Sequence, residues 1–295
     1  MPCFVNLPLR WMHTQPLWVD WFARGHIAPE LGLDLEALQL PRAWHKDTAS
    51  KFRDAGLATS VHLPFFGVDP CNLDDGAAAA ARDQLKKGAE LAALYGAEHM
   101  IGHPYYRNRK EGREADDVGG RWMEMSLKAW PDLPDIGGAH LFLENTYEKG
   151  PEAVAALVGR LNADRPGRGE GPAIGVCFDV GHWHCFAGCK SEEELAPWVD
   201  AFALFALHLH LHDNDGTFDQ HRGLGDGNIP LTGLFRALAA REKKVTVTLE
   251  PHDVEALVRS VEWFEANPGE AGASGWLKPE MSALPLAEIA DNIAT

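Results

Sequence analysis

Cysteine is scarce and unpaired in this chain of 295 residues. The five are Cys3, Cys71, Cys177, Cys185 and Cys189, an odd count with no Cys-x-x-Cys spacing. That excludes a disulfide framework and a thiolate zinc ribbon, and fits a reducing compartment, so the cytoplasm is the expected location. Basic runs are also missing. None exceeds a pair such as Lys86-Lys87 or Lys243-Lys244, and the formal net charge is −16. Such a surface repels a polyanion, which weighs against nucleic acid as a partner. No uninterrupted apolar stretch approaches the length of a membrane-spanning helix. The first fifteen residues show no basic segment followed by an apolar one, so no secretory signal is expected. Linkers, low-complexity segments and short-period repeats are likewise absent.

What is present is ordinary for a globular protein: 45% hydrophobic and 24% charged residues. Short apolar runs alternate with longer amphipathic ones from end to end. The expected strands are 3–9, 29–35, 60–64, 99–103, 140–144, 174–179, 204–210 and 245–250. Several are continuous in Val, Ile, Leu and Phe, as in parallel strands covered on both faces. Helices are expected at 44–55, 74–95, 120–129, 151–161, 191–202, 231–240 and 253–267. The segment 74–95 is the clearest, Ala-rich, acidic at its start and stopped by Gly96. Eight strand–helix units predict a single (β/α)₈ TIM barrel, which needs roughly 250 residues. The polar, Gly/Pro-punctuated region 107–138 reads as an enlarged loop over the barrel mouth. The tail 268–295 reads as a segment packed on the barrel's outside.

In such a barrel, functional groups stand where strands end. The third run ends at His62, the fourth at His103, and the fifth at Glu144. The sixth ends at Asp179 with His182 close behind; the seventh ends at His210, followed by a loop holding Asp219 and His221; the eighth ends at Glu250. Nine His, Asp or Glu residues thus fall at six successive strand ends or their loops. Imidazole and carboxylate donors suit Zn²⁺ or Mn²⁺ and need no thiolate. Any one of these residues is more often structural, solvated or paired than a ligand. A Glu on a barrel strand, such as Glu144 or Glu250, is nonetheless costly unless paired or coordinated. Nine coincidences at one face are less plausible than one shared site. His208 reads as a hydrogen-bonded core histidine one layer deeper, and His212 as lying beyond the strand end. His184 and His252 read either as substrate contacts or as surface residues. Cys177, Cys185 and Cys189 read as small buried apolar groups, since no neighbour would activate them.

These residues carry a resemblance. Leu143–Asn145 (LEN), 175–182 (GVCFDVGH), 210–215 (HLHDND), 219–229 (DQHRGLGDGNI) and Leu249–Pro251 (LEP) resemble the motifs of the xylose isomerase-like TIM-barrel superfamily. That group includes endonuclease IV-type apurinic endonucleases and many sugar or sugar-phosphate isomerases and epimerases. The resemblance spans about the third to the eighth strand. It implies three metal groups: His62 and His103 with Glu144; Glu144 bridging to Asp179, His210 and Glu250; and His182, Asp219 and His221. The implied cofactor is a divalent metal, zinc first, in one to three ions, with Mn or Mg as alternatives. The single-metal epimerase branch uses the matches of Glu144, Asp179, His210 and Glu250, and usually has a substrate-binding Arg near position 221, where this chain has His. The acidic loop FFGVDPCNLDD after His62 departs from the DNA-repair pattern.

The resemblance therefore implies a metal-dependent hydrolase acting on a phosphoester of a sugar or nucleotide-like molecule, with Glu144, Glu250 and His182 at the reaction centre. The alternative is a sugar or sugar-phosphate isomerase or epimerase with one metal, in which Glu144 and Glu250 move a proton and His182 touches a substrate oxygen. A non-enzymatic metal-binding barrel is the third reading. A small sugar or sugar phosphate is the expected partner, and a membrane is not.

Overall fold

The computed structural model describes residues 3–106, 115–163 and 174–267. Eight parallel strands close into one barrel in chain order: β1 (Cys3–Pro8), β2 (Ala28–Gly32), β3 (Ser60–His62), β4 (His99–Gly102), β5 (His140–Glu144), β6 (Gly175–Asp179), β7 (Leu207–Leu211) and β8 (Thr246–Leu249). Closure comes from β1 pairing with both β2 and β8. The chain is a (β/α)₈ barrel, with helices between successive strands. Among the described residues, no helix is long and apolar enough to cross a membrane.

Strand boundaries differ from the expectation at apolar ends. Leu9 opens a helix, Leu9–Thr14, instead of ending β1, and Leu204 is exposed before β7 begins at Leu207. An apolar residue extends a strand on paper, whereas pairing with a neighbour decides it in the fold. Two helices after β1, Leu9–Thr14 and Leu17–Gly25, were not expected. Pro16 separates them and hides their common periodicity. The region 107–138 is not simply a loop: helices Ala115–Ala129 and Leu133–Gly137 occupy most of it. Trp122, Met125 and Ala129 supply the buried i, i+3, i+7 stripe that holds the longer one. Residues 107–114 and the tail 268–295 lie outside the described residues.

The main apolar core lies between strands and helices, where Trp130, Trp183, Phe22, Phe52 and Phe202 are fully buried. The barrel interior is different. Side chains alternate along each strand, so one parity faces inward. In register around the ring stand Glu30 beside Ser60, Ser60 beside His99, Cys177 beside His208 and His208 beside Thr246. Among the described residues, only Ile101, Phe142 and Cys177 form an apolar cluster there. One step toward the C-terminal end, the same parity presents His62, Glu144, Asp179 and His210, followed just past two strands by His103 and Glu250.

Candidate metal centre

Glu144 lies at the middle of the mouth. Its Oε2 is 3.3 Å from His62 Nε2, 3.1 Å from His103 Nε2 and 3.3 Å from His210 Nδ1, while its Oε1 is 3.0 Å from His182 Nδ1. His210 Nδ1 is also 3.2 Å from Glu250 Oε1 and 3.9 Å from Asp179 Oδ2. Asp219 Oδ2 lies 3.3 Å from His182 Nε2 and 3.0 Å from His221 Nε2. All nine residues expected at the site are therefore gathered into one continuous cluster. His103, Asp219 and His221 are partly buried and the other six are buried.

Local structure aims these groups. Asp179 accepts from His182 N, so it caps the short helix Val180–Cys185 that carries His182. Asn145 donates to Asp179 O and accepts from Asp179 N, tying the ends of β5 and β6 together. The loop after β7 is knitted by Asp213. Its carboxylate accepts from the backbone N–H groups of Asn214, Gly225 and Ile229, and its backbone pairs with Arg222. Asp215 takes the side chains of Gln220 and Arg222. Between these ties sits His221, with its backbone in the left-handed region at φ 49°, where His is tolerated better than bulkier residues.

Histidine tautomers supply the test of whether a cation fits. Backbone carbonyls of Leu63, Asn145 and Glu250 lie 3.0, 2.9 and 2.8 Å from the Nδ1 atoms of His62, His182 and His221. Each carbonyl accepts, so each Nδ1 bears a proton, and in the neutral ring each Nε2 is left with a lone pair. Those three Nε2 atoms all face carboxylate oxygens. Lone pair against carboxylate is repulsive unless a proton or a cation lies between them. His210 Nδ1 and Asp219 Oδ1 are buried without a hydrogen bond among the described residues, although opposite charges surround them. Imidazole nitrogens and carboxylate oxygens converging this way form a donor set that fits divalent cations.

The electrostatics report the same crowding. Burial alone would depress His182, but Asp179, Asp219 and Glu144 reverse that and hold it well above the usual imidazole value. His210 behaves alike, burial being overcome by the carboxylates of Glu250, Glu30 and Glu144. His221 rises to about 9 against its own burial, through Asp219 and Glu250. In His103 burial wins over Glu144, and the group titrates low. Burial pushes Glu250 up, reinforced by Glu144 and Asp179 and only partly offset by His210 and His221.

Residues 27–267 match the model of the xylose isomerase-like TIM barrel. The chain belongs to that family. Among solved structures, a D-tagatose 3-epimerase-like protein superposes with TM-score 0.72 at 17% identity, covering 92% of this chain and 98% of that one. The TTHB071 protein from Thermus thermophilus, soaked with ZnCl2, superposes at 0.71 with 25% identity over 92% of this chain and 99% of that one. Endonuclease IV from the same organism gives 0.64 at 21% identity, with 92% and 100% covered. This xylose isomerase-like barrel thus shares its fold with an epimerase-like protein and with an endonuclease IV.

Two site residues were not anticipated. Glu30 is fully buried inside the barrel, with Oε1 3.3 Å from His210 Nε2. Its signal was a carboxylate inside the apolar run Ala28–Leu31, costly unless employed. His212 lies just beyond the end of β7, as expected, and there joins the site: its Nε2 is 3.3 Å from Asp179 Oδ1 and 3.5 Å from Asp219 Oδ1. Its ring stacks on His221 at 3.9 Å, and His221 stacks on the exposed His252 at 4.3 Å. His208 is fully buried and hydrogen-bonded to Thr246 and Thr248. His184 is buried, not superficial, with Nδ1 2.7 Å from Cys189 O. Of the three nearby cysteines only Cys177 is fully buried, and burial raises all three thiols, Cys185 to about 12, so none is an activated nucleophile.

Proposed function

We propose that this xylose isomerase-like barrel is a divalent-cation-dependent hydrolase acting on a phosphoester of a sugar or nucleotide-like small molecule. The observation that carries the reading is Asp219. Its carboxylate joins His182 and His221 and extends the donor set beyond Glu144, Asp179, His210 and Glu250. His62 and His103 extend it on the other side of Glu144. Nine donors are more than one ion takes up. Zinc suits them best, with Mn or Mg as alternatives. Bound cations supply Lewis acidity and charge neutralisation at a phosphoryl oxygen. Glu144 spans the groups with its two oxygens, and Glu250 at the end of β8 is placed to take or give a proton at the mouth.

A cavity of about 460 Å³ lies beside β1 and the end of β8; none of the nine donors lines it, and His252, which stacks on His221, joins it to the cluster. Trp11, Trp18 and Trp21 line it with Leu7, Pro251 and His252. Indole faces suit the flat, weakly polar face of a sugar or base. The net charge of −16 argues against a long polyanion entering.

Elemental analysis of protein purified without chelators tests the reading. Two or three zinc ions per chain, with phosphate release from a panel of sugar phosphates and phosphodiesters, are expected. One ion per chain with ketose interconversion favours the second reading, a sugar isomerase or epimerase. The observation behind that alternative is that Glu144 and Glu250 approach the same nitrogen, His210 Nδ1, at 3.3 and 3.2 Å, as an acid–base pair on one ion would.

A further inference from the structure

Beneath the mouth lies a second polar layer that takes no part in the proposed chemistry. Glu30 is its centre. Asn6 Nδ2 donates to Oε1 at 3.0 Å, and Thr248 Oγ1 and Ser60 Oγ donate to Oε2 at 2.8 and 3.3 Å. The directions of the remaining bonds follow. Thr248 gives its only hydrogen to Glu30, so its oxygen accepts from His208 Nε2, 2.9 Å away. His208 then bears its proton on Nε2, and its bare Nδ1, 2.6 Å from Thr246 Oγ1, accepts that hydroxyl's hydrogen. The donors run from Thr246 through His208 and Thr248 and terminate on Glu30.

Three donors fill both acceptor sites of Oε2 and one of Oε1; with a cation on His210 Nδ1 that ring's proton sits on Nε2, facing Oε1, and takes the fourth, so Glu30 carries no proton of its own and is an anion. The neighbour left facing it is His210 Nε2, 3.3 Å from Oε1 and buried with no hydrogen-bond partner of its own. His208 Nε2 and His99 Nε2 stand further off, both at 3.9 Å. A bare nitrogen beside that anion would set lone pair against negative charge, whereas an N–H is attracted.

We infer that Glu30 is a positioning residue: its buried carboxylate holds the His210 proton on Nε2 and so turns the Nδ1 lone pair toward Glu144, Asp179 and Glu250, where a cation is to be held. It touches neither substrate nor cation. A carboxylate behind a metal-binding imidazole fixes tautomer and raises ligand basicity. This inference rests on the metal reading above.

The test uses the zinc-loaded, uniformly ¹⁵N-labelled protein. Long-range ¹H–¹⁵N spectra, with the His210 signals assigned by their loss in H210Q, are expected to show Nε2 protonated and Nδ1 bare. A proton on Nδ1 of zinc-loaded His210 overturns the inference without any change to Glu30. The variant E30Q keeps the shape and removes the charge. Titrated with Zn²⁺ against a chromophoric chelator, folded E30Q is expected to bind roughly ten- to a hundredfold more weakly. Unchanged zinc affinity in folded E30Q, beside a wild-type chain that binds zinc, overturns this inference alone. A wild-type chain that takes up no zinc overturns the metal reading and the inference with it.

Discussion

At the scale of single residues, Gly181 shows how little room the site leaves. A Cβ there would fall 1.8 Å from His212 Cε1. G181A must therefore displace the His212 ring from Asp179 and Asp219. Thermal melts should show a loss of about 1–3 kcal/mol, and turnover should fall at least tenfold. Asp219 carries the polynuclear reading, so D219N is expected to leave the barrel folded while lowering the bound zinc by one ion per chain. An unchanged ion count in D219N would remove Asp219 from the ligand set. Glu148, which is not one of the nine donors, offers a pH test beside them. It is buried, and burial raises its carboxyl to about 7, above the ordinary carboxylate value it takes in the unfolded chain. Below that unfolded value both states are protonated and nothing is lost. As pH rises from about 4 to 7, the unfolded chain ionises first, and stability falls by about 3 kcal/mol. E148Q should flatten that fall in denaturant titrations across the same window. Residues of this kind were unevenly legible in the sequence. Glu144 and Glu250 stood out as carboxylates at apolar strand ends. Glu30 stood in an equally apolar strand, but two positions before its end, where no ligand was sought.

At the scale of elements, the loop between β7 and the helix Leu231–Ala239 bears the heaviest duty. Asp213 alone satisfies three of its backbone N–H groups. Removing it in D213A orphans them at a cost of about 1–3 kcal/mol for each that stays buried. Asp219 and His221 would lose their placement, so D213A should shed the same ion as D219N and bind the others normally. Elemental analysis of the two variants side by side checks this. The spacing of Asp219 and His221 was visible in the sequence, but their convergence with His212 was not. That depends on the Asp213–Arg222 pairing, which folds the chain back and which two polar residues nine positions apart do not announce. The helices Leu9–Thr14 and Leu17–Gly25 escaped for a related reason. Their tryptophans line a cavity, so the outward pattern is not the polar one of an ordinary surface helix.

At the scale of the whole molecule, the ring of strands holds mutually repelling carboxylates at one mouth. Glu144, Asp179, Asp219 and Glu250 come from four different strand–helix units and meet only after the barrel closes. Ions bound there stabilise the folded chain alone, by about 4 kcal/mol at a thousandfold excess over the dissociation constant. Stripping them with a chelator should lower the melting temperature by roughly ten degrees, and returning zinc should restore it. A melting point indifferent to chelator would contradict the shared site. Strand order was readable because eight apolar runs alternated with amphipathic stretches; closure between β1 and β8, some 240 positions apart, rests on pairing that no local pattern records. The self-tied segment 213–229 has a separate consequence. Two donors of the third group ride on a cassette outside the barrel wall. If the proposed function holds, exchanging that cassette between relatives is expected to change how many ions the barrel takes up while every strand stays as it was.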